Sequence, residues 1–312
     1  MHFADRVVKF TTLRTCRRRR PLIVVIIDCH THLNNYHEDR LVSLDECVER
    51  LLEAMERNRV DYSLVLTSYQ VTEHRPATRE VVRKVEAQPN LFVVAGVSYL
   101  HYKQSDLREL SEFLQEGKVR GIKIYPGYEP FYPWDKRCKV LFDLCMEYDV
   151  PLMIHSGDTY TASGKLKYAH PLEVDEVAVD YPGLKIIICH LGHPWLRDCM
   201  EVVYKNTNVH ADISGLVLGD FDSKFERWMK KEVEEVMLYA GDPSFFLYGT
   251  DWPLATMESY LEFMDKLNLP RRSKEQILCE NALRLFRLPR LESAKEQSPP
   301  PDSAAVTQES SE

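Results

Sequence analysis

The sequence predicts an α/β protein built as one closed barrel of eight parallel strands, and three observations predict it. Eight short apolar runs recur along the chain: LIVVIID, DYSLVLTS, NLFVVAGVS, RGIKIYP, VPLMIHS, LKIIICH, NVHADIS and SFFLYGTD. Near-continuous apolar runs suit strands that are buried on both faces. Amphipathic helical segments separate most of them, as the βα repeat of a parallel sheet requires. Residues able to do chemistry fall at the carboxyl ends of the runs, the face at which such a barrel opens. The expectation is a (β/α)8 TIM barrel over residues 22–290, a single domain, with an open doubly wound sheet as the competing architecture.

The elements follow in order. Strand one, in VVIIDCHTHLNN, turns polar at its end, and alternation there places His30 and His32 on one face with Cys29 and Thr31 on the other. Two converging imidazoles either hydrogen-bond separately or share a metal ion. The first helix, SLDECVERLLEAMERN, carries Leu44, Cys47, Val48, Leu51, Leu52 and Met55 at the helical period, and Ser43 with Glu46 three residues on predicts a capping box. In strand four, Gly121, Lys123 and Tyr125 share one face, and Ile122 and Ile124 share the other. The isoleucines suit the helix layer, so Lys123 points into the barrel, where a buried ammonium needs a partner. KRCKVLFDLCMEYD is the helix that follows. Strand five ends at His155, strand six at His190 and strand eight at Asp251. His210 and Asp212 share a face of strand seven without an assigned role.

Outside the barrel the pattern stops. Residues 1–21 are basic and lack a clear period, which predicts a flexible arm, and residues 291–312 are dominated by Ser, Pro, Glu and Gln, which predicts a disordered tail. RRRRPLIVVII imitates a secretory signal, but its apolar run is short and leads into DCHTH instead of a small-residue cleavage site. No stretch is long enough to span a bilayer. A net charge of -8 argues against a nucleic-acid or anionic-membrane surface and favours a small-molecule partner. The 8 cysteines form no Cys-x-x-Cys pair, so they read as reduced, mostly buried thiols of a cytoplasmic protein.

A lone histidine at a strand end is ordinary. His30, His32, His155, His190 and Asp251 in register at one rim are a different matter, because imidazoles with a carboxylate match a catalytic zinc-type site that leaves a position for water. The segments DCHTHL, VRGIKIYPGY, VPLMIHSGD, HPLEVDEVAVDYPGLKIIICHLGHPW, NVHADISG, YGTDWP and ENALRLFRL together resemble the amidohydrolase superfamily. Within it they are similar to the amidohydrolase-related branch that includes aminocarboxymuconate-semialdehyde decarboxylase-like enzymes. The resemblance covers about Ile26 to Leu288. It implies that His30, His32, His155 and Asp251 ligate one divalent ion, zinc or manganese, with His190 beside it as a catalytic histidine or a further ligand. A strand-four lysine is carbamylated in binuclear members. The branch resembled is mononuclear, which favours a plain Lys123 near Asp28 or near a substrate anion. A homodimer is the assembly the resemblance makes unsurprising.

Substrate-binding candidates are Lys123, His193, His170, Arg40 and Trp252, with Arg75, Trp134 and Trp195 as further strand-end residues able to anchor a carboxylate or wall a planar substrate. The implied activity is hydrolysis of a lactone, amide or ester by metal-activated water, with Asp251 accepting the proton and His190 polarising the carbonyl or protonating the leaving group. The alternative is decarboxylation of an aromatic or enoic acid, which requires a dedicated cation for a second carboxylate. A non-catalytic metal-binding protein is the third reading, and the complete set of expected ligands speaks against it.

Overall fold

The computed structural model describes residues 25–36 and 40–290; the expected arm and tail lie outside them. The order of elements is β1 (Ile27–Thr31), α1 (Leu44–Asn58), β2 (Tyr62–Leu66), α2 (Thr78–Val85), β3 (Leu91–Gly96), α3 (Gln104–Gln115), β4 (Val119–Ile124), α4 (Lys139–Glu147), β5 (Leu152–Ile154), α5 (Leu172–Asp180), β6 (Ile186–Ile188), α6 (Leu196–Lys205), β7 (Val209–Asp212), α7 (Ser223–Ala240), β8 (Phe246–Leu247) and α8 (Met257–Lys266). Two short helices follow, α9 (Arg271–Glu275) and α10 (Asn281–Leu285). The strands pair in sequence order and every ladder is parallel. Main-chain bonds from Cys29 N to Tyr248 O (3.0 Å), Asp251 N to His30 O (2.8 Å) and His32 N to Trp252 O (2.7 Å) close the ring between β8 and β1. The fold is a (β/α)8 TIM barrel, and the open sheet is excluded.

Alternation along the strands divides the apolar residues into two cores. Val65, Val93, Ile122, Ile124, Ile154 and Ile188 pack under the helices. Ile27, Leu64, Val94, Met153, Ile187 and Leu247 fill the barrel interior with Leu285 and Phe286 from the end of α10. Phe286 plugs the amino end of the barrel, where its ring lies 3.4 Å from the place a Cβ on Gly121 would occupy. Burial at about 25 cal/mol per Å² makes both layers the main source of stability.

Two local expectations change. β1 starts at Ile27, later than the apolar run suggests, and a bulge shifts its register between Asp28, opposite Ser63, and Thr31, opposite Val65. Simple alternation therefore fails: Cys29 joins the interior core, yet the His30 ring also reaches inward. At α1, Ser43 accepts the Glu46 N–H as expected, but the Glu46 carboxylate turns to Arg40 and Arg50, so the box is only half formed. Both partners are guanidinium groups, stronger donors to a carboxylate than a backbone N–H.

Candidate metal centre

The bulged end of β1 carries His30 into the barrel mouth fully buried. Its Nδ1 lies 2.9 Å from Asp212 Oδ2. A carboxylate only accepts, so this bond places the ring proton on Nδ1 and turns the Nε2 lone pair inward. His32 is set the same way: Nδ1–H donates to Leu66 O at 2.8 Å, leaving Nε2 to face Asp251 Oδ1 at 3.0 Å. His30 Nε2 is 3.6 Å from the same oxygen. With Nδ1–H given to Leu66 O, this contact needs either a proton on His32 Nε2 or a cation between the two atoms. A bound cation would take the lone pairs of His32 and Asp251 together, and that of His30 once Lys123 Nζ, which donates to His30 Nε2 at 2.8 Å, gives way. The set fits a divalent ion in donor type, burial and orientation, with donor atoms of His30, His32 and Asp251 within 4.8 Å of one another.

His155 stands apart from this trio. Its Nε2 is 3.0 Å from Asp158 O, and its ring packs against Tyr128 and His190 with centroids 4.7 and 5.1 Å away. It borders the same cavity, with Nδ1 the nitrogen that the Asp158 bond leaves unengaged. Of the four expected ligands, three converge and the fourth forms the adjoining wall.

His190 sits above Asp212, whose role the sequence leaves open. Asp212 accepts from His30, from His190 N (3.0 Å), from Ser214 N (3.1 Å) and from Ser214 Oγ (2.5 Å). Since the one hydroxyl hydrogen of Ser214 goes to Asp212, the 2.9 Å contact between Ser214 Oγ and His190 Nδ1 takes its hydrogen from the imidazole. His190 Nε2 is then a lone-pair acceptor. The main chain is held in the left-handed region at His190 (φ 61), Leu191 (φ 48) and Asp251 (φ 69), strain of the kind that collects at functional sites. Gly215, also at positive φ, is required there: a Cβ would stand 2.4 Å from His190 Nδ1.

Electrostatics divide the groups by charge. Burial, and after it the Lys123 charge, pushes His30 down to about 3. His155 and His190 are lowered chiefly by burial. Burial raises Asp251, but the His32 hydrogen bond and the nearby imidazoles outweigh it and hold the carboxyl below its usual range. Asp212 is held low against burial by His30, His190 and Ser214. Neutral imidazoles and ionised carboxylates are the protonation states a cation requires. Asp28 behaves differently: burial lifts it to about 7 against the opposing hydrogen bonds from Thr250 and His30 N.

The remaining candidates separate clearly. Lys123 is buried, but its Nζ lies 2.8 Å from His30 Nε2 and makes no ion pair with the expected Asp28, which accepts from Thr250 and from His30 N. Arg40 is exposed, and both its bonds go to Glu46. His170 packs on Trp195 and pairs with Asp198 at 3.4 Å, outside the cavity. The His193 ring turns to Phe225 and Trp228. Trp252 contributes its carbonyl to His32 N while its side chain packs against the helix-layer core. Trp134 is exposed on Tyr132 and donates to Glu173. Arg75 does border the cavity, with Tyr36, Tyr69, Tyr125, Tyr128 and Tyr160. The sequence placed Tyr125 on the inward face of strand four without a role and gave the other four tyrosines none; the YPGY segment and Tyr36, four residues after His32, were the available signal.

Fold and mouth together define a TIM-barrel protein with a histidine and aspartate centre at the carboxyl ends of its strands. Residues 27–288 match the amidohydrolase family model, and the chain belongs to that family. No curated protein sequence matches it. Among solved structures it is similar to an uncharacterized TIM-barrel protein from Bordetella bronchiseptica (TM-score 0.68, 19% identity, 85% of this chain and 99% of that one). A probable 2-pyrone-4,6-dicarboxylic acid hydrolase from Acinetobacter baumannii gives a TM-score of 0.61 at 12% identity, over 84% of this chain and 99% of that one. A dihydroxybenzoic acid decarboxylase from Polaromonas, with bound manganese and 2-nitroresorcinol, gives 0.59 at 16%, over 86% and 98%. At these identities the likeness establishes the shared fold. Among the described residues no helix is long and apolar enough to cross a membrane.

Proposed function

We propose that the protein is a metal-dependent hydrolase of a small carbonyl substrate: a lactone, amide or ester. The observation that carries this reading is the convergence on Asp251 Oδ1 of His32 Nε2 at 3.0 Å and His30 Nε2 at 3.6 Å in a buried mouth. These side chains, joined by His155 from the next wall, would hold one divalent ion, zinc or the manganese named for the decarboxylase relative. Such an ion, when bound, supplies hydroxide near neutral pH and polarises a carbonyl oxygen. Asp251, kept ionised, accepts the proton of the attacking water at its carboxylate. His190, with its Nε2 lone pair toward the cavity, takes that proton on from Asp251 and delivers it to the leaving group, which returns Asp251 to the carboxylate. Asp212 and Ser214 hold the tautomers of both rings throughout.

Arg75 favours a second reading. A cation beside the cavity is what a decarboxylase needs for a second carboxylate, and the tyrosine rings offer a wall to a planar acid. Purified protein of measured metal content, assayed against lactones, esters, amides and aromatic carboxylic acids, separates the two. Acid release from the first three classes supports hydrolysis; release of carbon dioxide from the last, with the others inert, replaces it with the lyase.

A further inference from the structure

The cavity beside Asp251 and His190 has a volume of about 50 Å³. That is space for about one or two waters. A substrate pocket normally takes several hundred Å³, so the mouth alone holds a reacting group and not the body of a substrate. A second cleft, of about 840 Å³, runs between α2 and α3, and Ser68 and Tyr69 line both spaces. Tyr69 is therefore the partition between the reactive centre and a chamber large enough for the rest of a molecule.

The lining of the cleft decides what the chamber takes. Its one guanidinium among the described residues, Arg79, donates from Nε to Glu109 Oε1 at 2.5 Å. Two of its carboxylates close helix starts: Glu80 accepts from Ala77 N at 2.8 Å and Asp106 from Lys103 N at 2.9 Å. The lining thus offers an anion no unpaired guanidinium or ammonium. What remains is apolar. Leu107, Leu110 and Phe113 come from α3 and Val97 from the end of β3, while Val71, on the loop after β2, stands 65% exposed. Each methylene that such a surface removes from water strengthens binding about three- to fourfold.

The frame of the cleft is fixed and its partition is not. Thr67 Oγ1 accepts from Gly96 N at 2.8 Å and lies 2.7 Å from Thr78 Oγ1, which ties β2, β3 and α2 together. Among the described residues, Ser68, Tyr69, Gln70 and Val71 make no main-chain bond to another element. The Tyr69 ring rests on Tyr125 and Tyr128 with centroids 5.0 and 5.9 Å away, so it can turn without opening the sheet.

We propose that the cleft between α2 and α3 is the subsite for an uncharged alkyl chain: the substrate is a lactone, amide or ester whose carbonyl enters the mouth and whose chain runs past Tyr69 along Val97, Leu107, Leu110 and Phe113. This rests on the reading above that the centre is hydrolytic, and it names the class of substrate the centre serves. Tyr69 turns aside as the chain passes.

The test is calorimetric titration of manganese-loaded full-length protein with 2-ethylcyclopentanone and 2-hexylcyclopentanone, ring ketones that carry the carbonyl but no bond to hydrolyse. A third probe, 6-(2-oxocyclopentyl)hexanoate, ends the longer chain in a carboxylate. Metal content and melting temperature are measured on each preparation, and hydrolysis of the matching lactone, α-hexyl-γ-butyrolactone, on the wild type. The hexyl ketone binds at least about tenfold more tightly than the ethyl ketone, and the terminal carboxylate removes that gain. Val97→Gln and, at the exposed rim, Val71→Gln each weaken the hexyl ketone about three- to tenfold and leave the ethyl ketone unchanged. Tyr69→Ala tightens the hexyl ketone a fewfold, since no ring has to turn. Equal affinity for the two ketones overturns the proposal, as does unchanged hexyl affinity in the folded valine variants or an undiminished gain for the carboxylate-ended chain. Weakening by Tyr69→Ala overturns the role of Tyr69 as the partition. Binding that depends on chain length in a protein that retains no metal and hydrolyses no lactone defeats the hydrolytic reading and leaves the subsite standing; metal-dependent hydrolysis without that dependence does the reverse.

Discussion

The two halves of the barrel interior are equally buried and built on opposite principles. Toward the amino ends of the strands, Ile27, Leu64, Val94, Met153, Ile187 and Leu247 meet Phe286, and no member of that set needs a particular partner. Toward the carboxyl ends stand His30, Lys123, His190, Asp212 and Asp251, and each requires a specific neighbour. Apolar burial stabilises in proportion to area and tolerates many packings. Buried polar groups cost free energy unless every donor and acceptor is matched, so the upper half is fixed in geometry and depends on the lower half for stability. The comparison assigns folding to one end of the barrel and chemistry to the other.

Breaking the upper half should abolish function while the fold persists. The double variant His30→Ala, His32→Ala is expected to lose nearly all bound metal and all turnover, read by elemental analysis and assay of one preparation. Full occupancy in that variant would remove the ligand assignment. A smaller loss, about 10²- to 10⁴-fold in turnover with the metal retained, is expected for His190→Asn, because the amide keeps a polar group in place but cannot carry the proton. Parallel loss of metal and activity would make His190 a ligand. In the lower half, Phe286→Ala should cost about 3–5 kcal/mol in urea unfolding with metal stoichiometry unchanged. Metal loss in the folded variant would show that the two halves are not independent. Asp212→Asn sharpens the boundary: weakening the acceptor for His30 Nδ1–H should reduce metal affinity about 10- to 100-fold in a chelator competition. An unchanged affinity would reduce Asp212 to a structural anchor of Ser214 and His190.

The sequence made the lower half and the strand order legible because apolar periodicity is a property of each segment alone. Eight runs and their helices were readable one at a time, and so was the rim position of His30, His32, His155, His190 and Asp251. Hydrogen-bond partners were not readable, since they join residues far apart in the chain. Asp212 meets His30 across a separation of 182 residues, and Thr250 claims Asp28, the partner expected for Lys123, across 222. Local competition also misleads: Arg40 follows β1 as an anion anchor should, yet Glu46 lies six residues away and takes it. The bulge in β1 escapes the alternation rule for a similar reason, because register depends on β2. Tyrosines pass unnoticed in a sequence that contains 16 of them, until the fold shows which ones meet.

The main-chain bonds that close the barrel have a consequence for biosynthesis. Asp251 N bonds His30 O and His32 N bonds Trp252 O, so the residues proposed to hold the metal also form the seam between the first strand and the last. A growing polypeptide therefore carries His30 and His32 through most of translation with neither the carboxylate they face nor the strand that fixes their positions. The centre comes into being only when β1 meets the end of β8, so loading of the proposed metal would follow synthesis of Asp251.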